Sequence, residues 1–183
     1  MRRLAPALAV LFPVAASAAA PLPETSSLGA LRPDAAFLQG GDGDRTRTLT
    51  VGLAWTLPWH TAWSGATLST YLEASFGRWW IDEDGLARSP WVSQLGMTLT
   101  LRCHFAAAWY AELGVGPNDL SPMFHDSDRR FSTKFNFGDH LALGRRVSGD
   151  DELALRVQHF SNGGIRQPNP GINFVQLRWG HRF

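Results

Sequence analysis

A chain of 183 residues with 17 basic and 16 acidic side chains has room for one domain. Its near-neutral balance gives a nucleic-acid partner no electrostatic support. The single cysteine, Cys103, excludes an internal disulfide, and six histidines without ligand spacing point to no metal site.

At the N-terminus, Arg2 and Arg3 precede an apolar run from Leu4 to Val14, and the small residues Ala16, Ser17 and Ala18 follow. This order predicts a secretory signal over 1–18, cleaved after Ala18, and a mature domain over 19–183. A membrane helix needs about 20 apolar residues, and this run is shorter and broken by Pro6 and Pro13. Beyond it the chain alternates with period two. Leu49, Val51, Leu53, Trp55 and Leu57 are separated by Thr48, Thr50, Gly52, Ala54 and Thr56. The pattern returns in Leu68, Leu72, Ala74 and Phe76, then in Leu95, Met97, Leu99 and Leu101, then in Trp109, Ala111, Leu113 and Val115. Such alternation predicts strands with two unlike faces. Eight are expected, near 31–40, 46–57, 66–77, 91–103, 107–115, 131–143, 151–161 and 173–183. The connections 58–65, 104–106 and 144–150 are short. Those at 78–90, 116–130 and 162–172 are long and rich in Gly, Pro, Asp, Asn or Arg.

Short turns at one end and long loops at the other predict an all-β fold, an eight-stranded antiparallel transmembrane β-barrel. A soluble sandwich or lipid-binding barrel also alternates. Here, however, the bulky face recurs along almost every strand, while the other face is Thr, Ser, Gly, Gln and Arg, too polar for a packed core. Trp59 and Trp63 at a short turn, and Trp79, Trp80 and Trp91 around a long loop, suit two aromatic girdles. The last strand carries Val175, Leu177, Trp179, His181 and Phe183 on one parity. A terminal Phe on such a strand resembles the ending of bacterial outer-membrane barrels.

Parity also locates a candidate site. In the seventh strand Leu153, Leu155 and Val157 are assigned to the outer face, so His159 and Ser161 continue it. Val175 and Leu177 put Asn173 on the same face of the eighth strand. Polar groups facing hydrocarbon are costly, and their presence suggests function. Serine becomes a nucleophile when a base takes its proton, and histidine suits that task near neutrality. The Asn162-Gly163-Gly164 segment can turn sharply and present amide donors to an oxyanion. Ester hydrolysis on a lipid at the barrel rim is the expected chemistry.

The stretch His159-Phe160-Ser161-Asn162, with Gly164 and Ile165, the Pro168-Asn169-Pro170-Gly171 turn and the closing strand, resembles the lipid A 3-O-deacylases of the PagL type. The resemblance is specific at the site and diffuse over the other strands. It implies His159 as general base, Ser161 as nucleophile, and Asn162 with the backbone of Gly164 as the oxyanion hole. The implied reaction removes the ester-linked 3-position acyl chain of lipid A in lipopolysaccharide, in the outer membrane and without a cofactor. That family places a glutamate near the start of the last strand to orient the histidine. Here Asn173 stands in its place, able to accept the histidine N–H but not to balance its charge.

Asp139 shares the outward parity, yet with the sixth strand starting at 131 it lies about eight residues down, on the order of 25 Å from the rim. Arg78, Arg88, Arg129, Arg130 and Arg166 fall in long loops and are candidates for lipid A phosphates, with ordinary loop solvation the competing explanation. The alternative to an active enzyme is a catalytically attenuated or inactive barrel with a structural or surface-interaction role. A third, weaker alternative is a periplasmic lipid-binding barrel. A homodimer is compatible with any of these.

Overall fold

The computed structural model describes residues 32–82 and 89–183, so the expected signal, the first residues of the mature chain and Arg88 lie outside the described residues. Eight strands follow in chain order: β1 Ala35–Gly43, β2 Thr46–Trp63, β3 Ala66–Ile81, β4 Trp91–His104, β5 Trp109–Ser121, β6 Phe135–Ser148, β7 Asp151–Ser161 and β8 Ile172–Arg182. Each pairs antiparallel with its neighbours, and β1 pairs with β8, which closes the barrel. Closure pairs the backbone groups of both would-be edges, the condition for a sheet to cross a bilayer.

Alternation sorts the side chains as expected. Leu95, Leu99, Leu113, Leu141, Leu155 and Leu177 stand exposed on the outer wall, while their polar neighbours in sequence are buried within the lumen. An apolar exterior around a polar interior is the inverse of a soluble barrel.

The lumen is filled in layers. Toward the short-turn end, Arg102 bonds Glu112 (2.6 Å) and Glu152 (2.9 Å). Arg156 reaches Glu112 (3.2 Å) and Glu73 (3.4 Å), and Arg178 bonds Glu73 at 2.7 Å. Cation–π contacts of Arg102 with Tyr110 and of Arg178 with Phe37 reinforce this layer. Next come amides: Gln39 bonds Gln158 and Gln176, and Gln94 bonds Asn118. Toward the long-loop end an aromatic plug packs Trp79, Phe124, Phe131, Phe160 and Phe174 with Ile81, Val92, Leu120 and Ile172. Its rings meet edge to face, Trp79 with Phe160 at 4.8 Å and with Phe174 at 5.0 Å. The interior therefore holds a packed apolar cluster toward the long-loop end, which corrects the expectation of an inner face too polar for a packed core.

The strand ends depart from the sequence expectations in informative ways. β2 continues to Trp63 because an irregularity between Thr56 and His60 absorbs Pro58, leaving only Ser64 and Gly65 as the turn. β5 runs through Gly116–Asp119 to Ser121, a segment whose Gly, Pro, Asn and Asp suggest a loop. β6 starts at Phe135, not 131. Phe131 mimics strand parity but turns inward to the plug, where it contacts Phe124. Trp79 is no girdle residue; it is fully buried at 0 % exposure, whereas Trp59, Trp63, Trp80 and Trp91 are exposed.

The charge layer yields a stability prediction. Removing one partner of a buried ion pair leaves an uncompensated charge, typically costing about 3–5 kcal/mol. Glu73 serves both Arg156 and Arg178. Glu73→Gln is expected to lower the urea midpoint of the refolded barrel by a corresponding amount. Lys134→Gln, a change outside the lumen network, is expected to leave it unchanged.

Candidate functional site

The end of β7 and the start of β8 bring His159 and Asn173 face to face. They are direct partners across the two strands, and His159 Nδ1 lies 2.7 Å from Asn173 Oδ1. With that carbonyl oxygen as acceptor, Nδ1 carries the proton and Nε2 keeps its lone pair. The inward neighbours Phe160, Ile172 and Phe174 are locked in the aromatic plug, so the backbone carrying both polar residues is anchored from inside. The sequence supports this locally. Each polar residue on the outer wall alternates with a large apolar residue that the plug requires.

Ser161 follows His159 on the same face, one row nearer the loop end. It pairs with Phe137 of β6, and its Oγ accepts a long 3.4 Å hydrogen bond from the Gly163 amide. Opposite, Gly171 adopts φ +66°, and a Cβ built there would stand 2.6 Å from His159 Cε1 and 3.1 Å from Nε2. The Cε1–Nε2 edge of the imidazole therefore packs against a bare glycine backbone. No larger residue fits there without displacing the ring.

The loop after Ser161 is held by Asn162, a residue only 2 % exposed. Its amide N–H donates to Asn169 Oδ1 (3.0 Å), and its Nδ2 donates to Ser132 Oγ (3.0 Å) and to the Arg166 carbonyl (2.8 Å). Its Oδ1 accepts from the Gly164 amide at 2.9 Å. Both expected oxyanion donors, the Asn162 side chain and the Gly164 N–H, are thus engaged inside the loop. Gly163, at φ +63°, supplies the amide aimed at the serine oxygen. Sequence reasoning offered the amides of Asn162-Gly163-Gly164 together without singling this one out, and it missed the bracing roles of Ser132 and Asn169. The Pro168-Asn169-Pro170-Gly171 motif was visible, but nothing in its spacing says which backbone group Asn169 will meet.

Asp139 requires a correction. It is the direct cross-strand partner of His159 on β6, not a residue about eight positions below the rim. Because β6 begins four residues later than expected, Asp139 rises to the level of the imidazole. Asp139, His159 and Asn173 form one row across three strands, and Phe137 and Ser161 form the next.

The arginines scatter. Arg78 lies within β3 and stacks over Trp91 at 4.1 Å. Arg129 bonds Asp126 (2.9 Å) and Asp44 (2.6 Å), tying the 122–134 loop to the β1–β2 turn. Arg130 and Arg166 remain exposed at the loop end, and Arg88 is outside the described residues. The described residues hold no cluster of three or more His, Cys, Asp or Glu able to bind a metal. His181, near the short-turn end, bonds Asp151 at 2.9 Å.

The family model described as lipid A 3-O-deacylase (PagL) matches residues 49–182. The lipid A deacylase PagL of Bordetella bronchiseptica is 33 % identical over 151 residues, covering 80 % of this chain and 82 % of the relative. The lipid A deacylase PagL of Pseudomonas aeruginosa is 27 % identical over 173 residues, covering 91 % and 95 %. A crystal structure of the outer membrane enzyme PagL superposes with a TM-score of 0.70 at 21 % identity, over 81 % of this chain and 99 % of the other. The matched region contains the whole polar row and seven of the eight strands entire or nearly so, and the chain belongs to the lipid A 3-O-deacylase (PagL) family.

Proposed function

We propose that the protein is exported by its 1–18 signal to the bacterial outer membrane. There it hydrolyses the ester that joins the 3-position acyl chain to lipid A. The observation that carries this reading is the hydrogen bond between His159 and Asn173, beside Ser161, on an outer wall that is mostly apolar. A serine–histidine pair facing lipid has access to esters of the outer leaflet, where lipid A resides, and not to soluble substrates.

The steps follow from the atoms available. As Ser161 Oγ attacks the acyl carbonyl carbon, its proton passes to His159 Nε2. Asn173 Oδ1 meanwhile holds the Nδ1 proton and the ring plane. The carbonyl oxygen becomes an oxyanion and takes its hydrogen bonds from the glycine turn. These come from the Gly163 amide, and from the Gly164 amide as it leaves Asn162 Oδ1. A single such donor is worth roughly 10²–10³ in rate. Collapse breaks the ester bond, and the imidazolium returns its proton to the departing 3-hydroxyl of lipid A. Water, activated by the same histidine, then releases the fatty acid from Ser161 and restores the hydroxyl. No cofactor enters these steps. Arg130 and Arg166 are proposed to meet the lipid A phosphates from the loop end.

Purified protein mixed with lipopolysaccharide is expected to yield lipid A lighter by one hydroxyacyl chain in a mass spectrum. Ser161→Ala and His159→Gln are each expected to lower that rate by at least about 10³-fold. Intact lipid A from the wild-type chain overturns the reading and favours the inactive, structural barrel. That alternative draws its support from the neutral Asn173.

Gly171→Ala tests the seating of the imidazole. Its Cβ would collide with the ring, and misplacement of a reacting group by about 1 Å can cost about 10²-fold. The expected result is a kcat lower by about 10- to 100-fold, with the folded, heat-modifiable band on electrophoresis retained.

A further inference from the structure

This inference rests on the reading that Ser161 and His159 perform ester hydrolysis, and it concerns the charge which that chemistry needs. When the serine proton moves to Nε2, the ring becomes an imidazolium. Its hydrogen-bonded neighbour on β8, Asn173, is neutral. On its other side, however, β6 places Asp139 directly opposite His159, with its side chain exposed on the same outer wall. Directly opposite residues on one face of an antiparallel pair hold their Cβ atoms about 4.5–5.5 Å apart.

Asp139 stands among apolar neighbours. Phe137 and Leu141 flank it along β6, and Val115 is its partner on β5. No hydrogen bond or ion pair engages its carboxylate among the described residues. A carboxylate alone on a lipid-facing wall is destabilising, and more so the deeper it lies. Structure offers no reason for it, whereas the imidazole across the strand does. The groups facing His159 are Asp139 from β6, Asn173 from β8, Gly171 from the loop, and Val157 and Ser161 from its own strand. Asp139 alone among these carries a charge.

We propose that Asp139 is a positioning residue that acts through His159, supplying the negative charge that Asn173 lacks. The work of a triad acid is then divided between two strands. Asn173 sets the tautomer and the ring plane by contact. Asp139 stabilises the imidazolium through space and draws it toward β6 as charge develops. An opposite charge within about 4–6 Å favours a titrating group's charged form by a factor on the order of 10–10³. The low dielectric at a lipid boundary keeps that interaction from being screened away. Because Asn173 retains the tautomer, loss of Asp139 is milder than loss of an acid that serves both purposes.

The test compares deacylation of lipopolysaccharide by wild type, Ser161→Ala, Asp139→Asn, Asp139→Glu and the double variant Asp139→Asn with Asn173→Glu. Heat-modifiable mobility serves as the folding check. Asp139→Asn is expected to lower kcat about 10- to 10³-fold with little change in KM. Asp139→Glu should retain kcat within about tenfold of wild type, and Asn173→Glu in the Asp139→Asn background should restore most of the loss by returning a carboxylate to the other side of the ring. If asparagine at 139 does not fold, Asp139→Leu, which suits a lipid-facing wall, carries the same comparison. Unchanged kcat in Asp139→Asn, with Ser161→Ala inactive, overturns the role of Asp139 and leaves the hydrolase standing. A loss that Asn173→Glu does not relieve also overturns it, since it marks a structural effect. A wild-type chain that leaves lipopolysaccharide intact overturns both.

Discussion

Closure of the sheet is the constraint from which the rest follows. A bilayer offers no water to backbone amides, so every strand must find two partners, and β1 must meet β8. Once the ring closes, each side chain has only two destinations, the lumen or the outer wall. Charges such as Glu73, Arg156 and Arg178 go inward, where they satisfy one another. Leucines and valines go outward. A polar residue left on the outer wall is then an exception that demands a reason, and the row Asp139, His159, Asn173 is the densest set of such exceptions near the loop end.

The filling of the lumen bears on the chemistry outside it. β7 and β8 each alternate, so the residues between the site's polar groups are the ones that enter the plug. Phe160 sits between His159 and Ser161, and Phe174 follows Asn173. Their edge-to-face contacts with Trp79 hold the strands from within. A site on a barrel's exterior has no pocket walls to orient it. Its rigidity comes from the opposite face of its own sheet and from the loop that Asn162 ties down. Preorganisation of this kind is what an exposed catalytic pair needs if it is to act on a substrate that diffuses laterally in the membrane.

Neutral Asn173 leaves the proposed serine–histidine pair without an acid on β8, and the cross-strand geometry that places Asp139 on β6 is one that chain order obscures. Two residues can share a function when each meets a different requirement of the ring, one geometric and one electrostatic. A sheet suits such sharing, because a central strand presents every residue to a partner on both sides. The Nδ1 hydrogen bond and the nearby carboxylate arrive from β8 and β6 respectively, and neither strand alone would provide both.

Period-two alternation by itself determined the barrel, its eight strands, and the outward parity of His159, Ser161 and Asn173. Parity is a local property, copied residue by residue from chain to sheet, which is why it was legible. The strand ends were not. Phe131 continues the strand pattern yet folds into the plug, and the Gly116–Asp119 segment looks like a loop yet stays in the ladder. Such ends are decided by what neighbouring strands and the plug accept. A four-residue error at the start of β6 moved Asp139 far from the imidazole that it faces. Register, the coordinate that says which residues of different strands stand level, belongs to pairs of strands and not to either sequence. Only the tertiary structure could place Asp139 beside His159, commit Arg129 to its loop carboxylates, and turn the Asn162 side chain to bracing the turn.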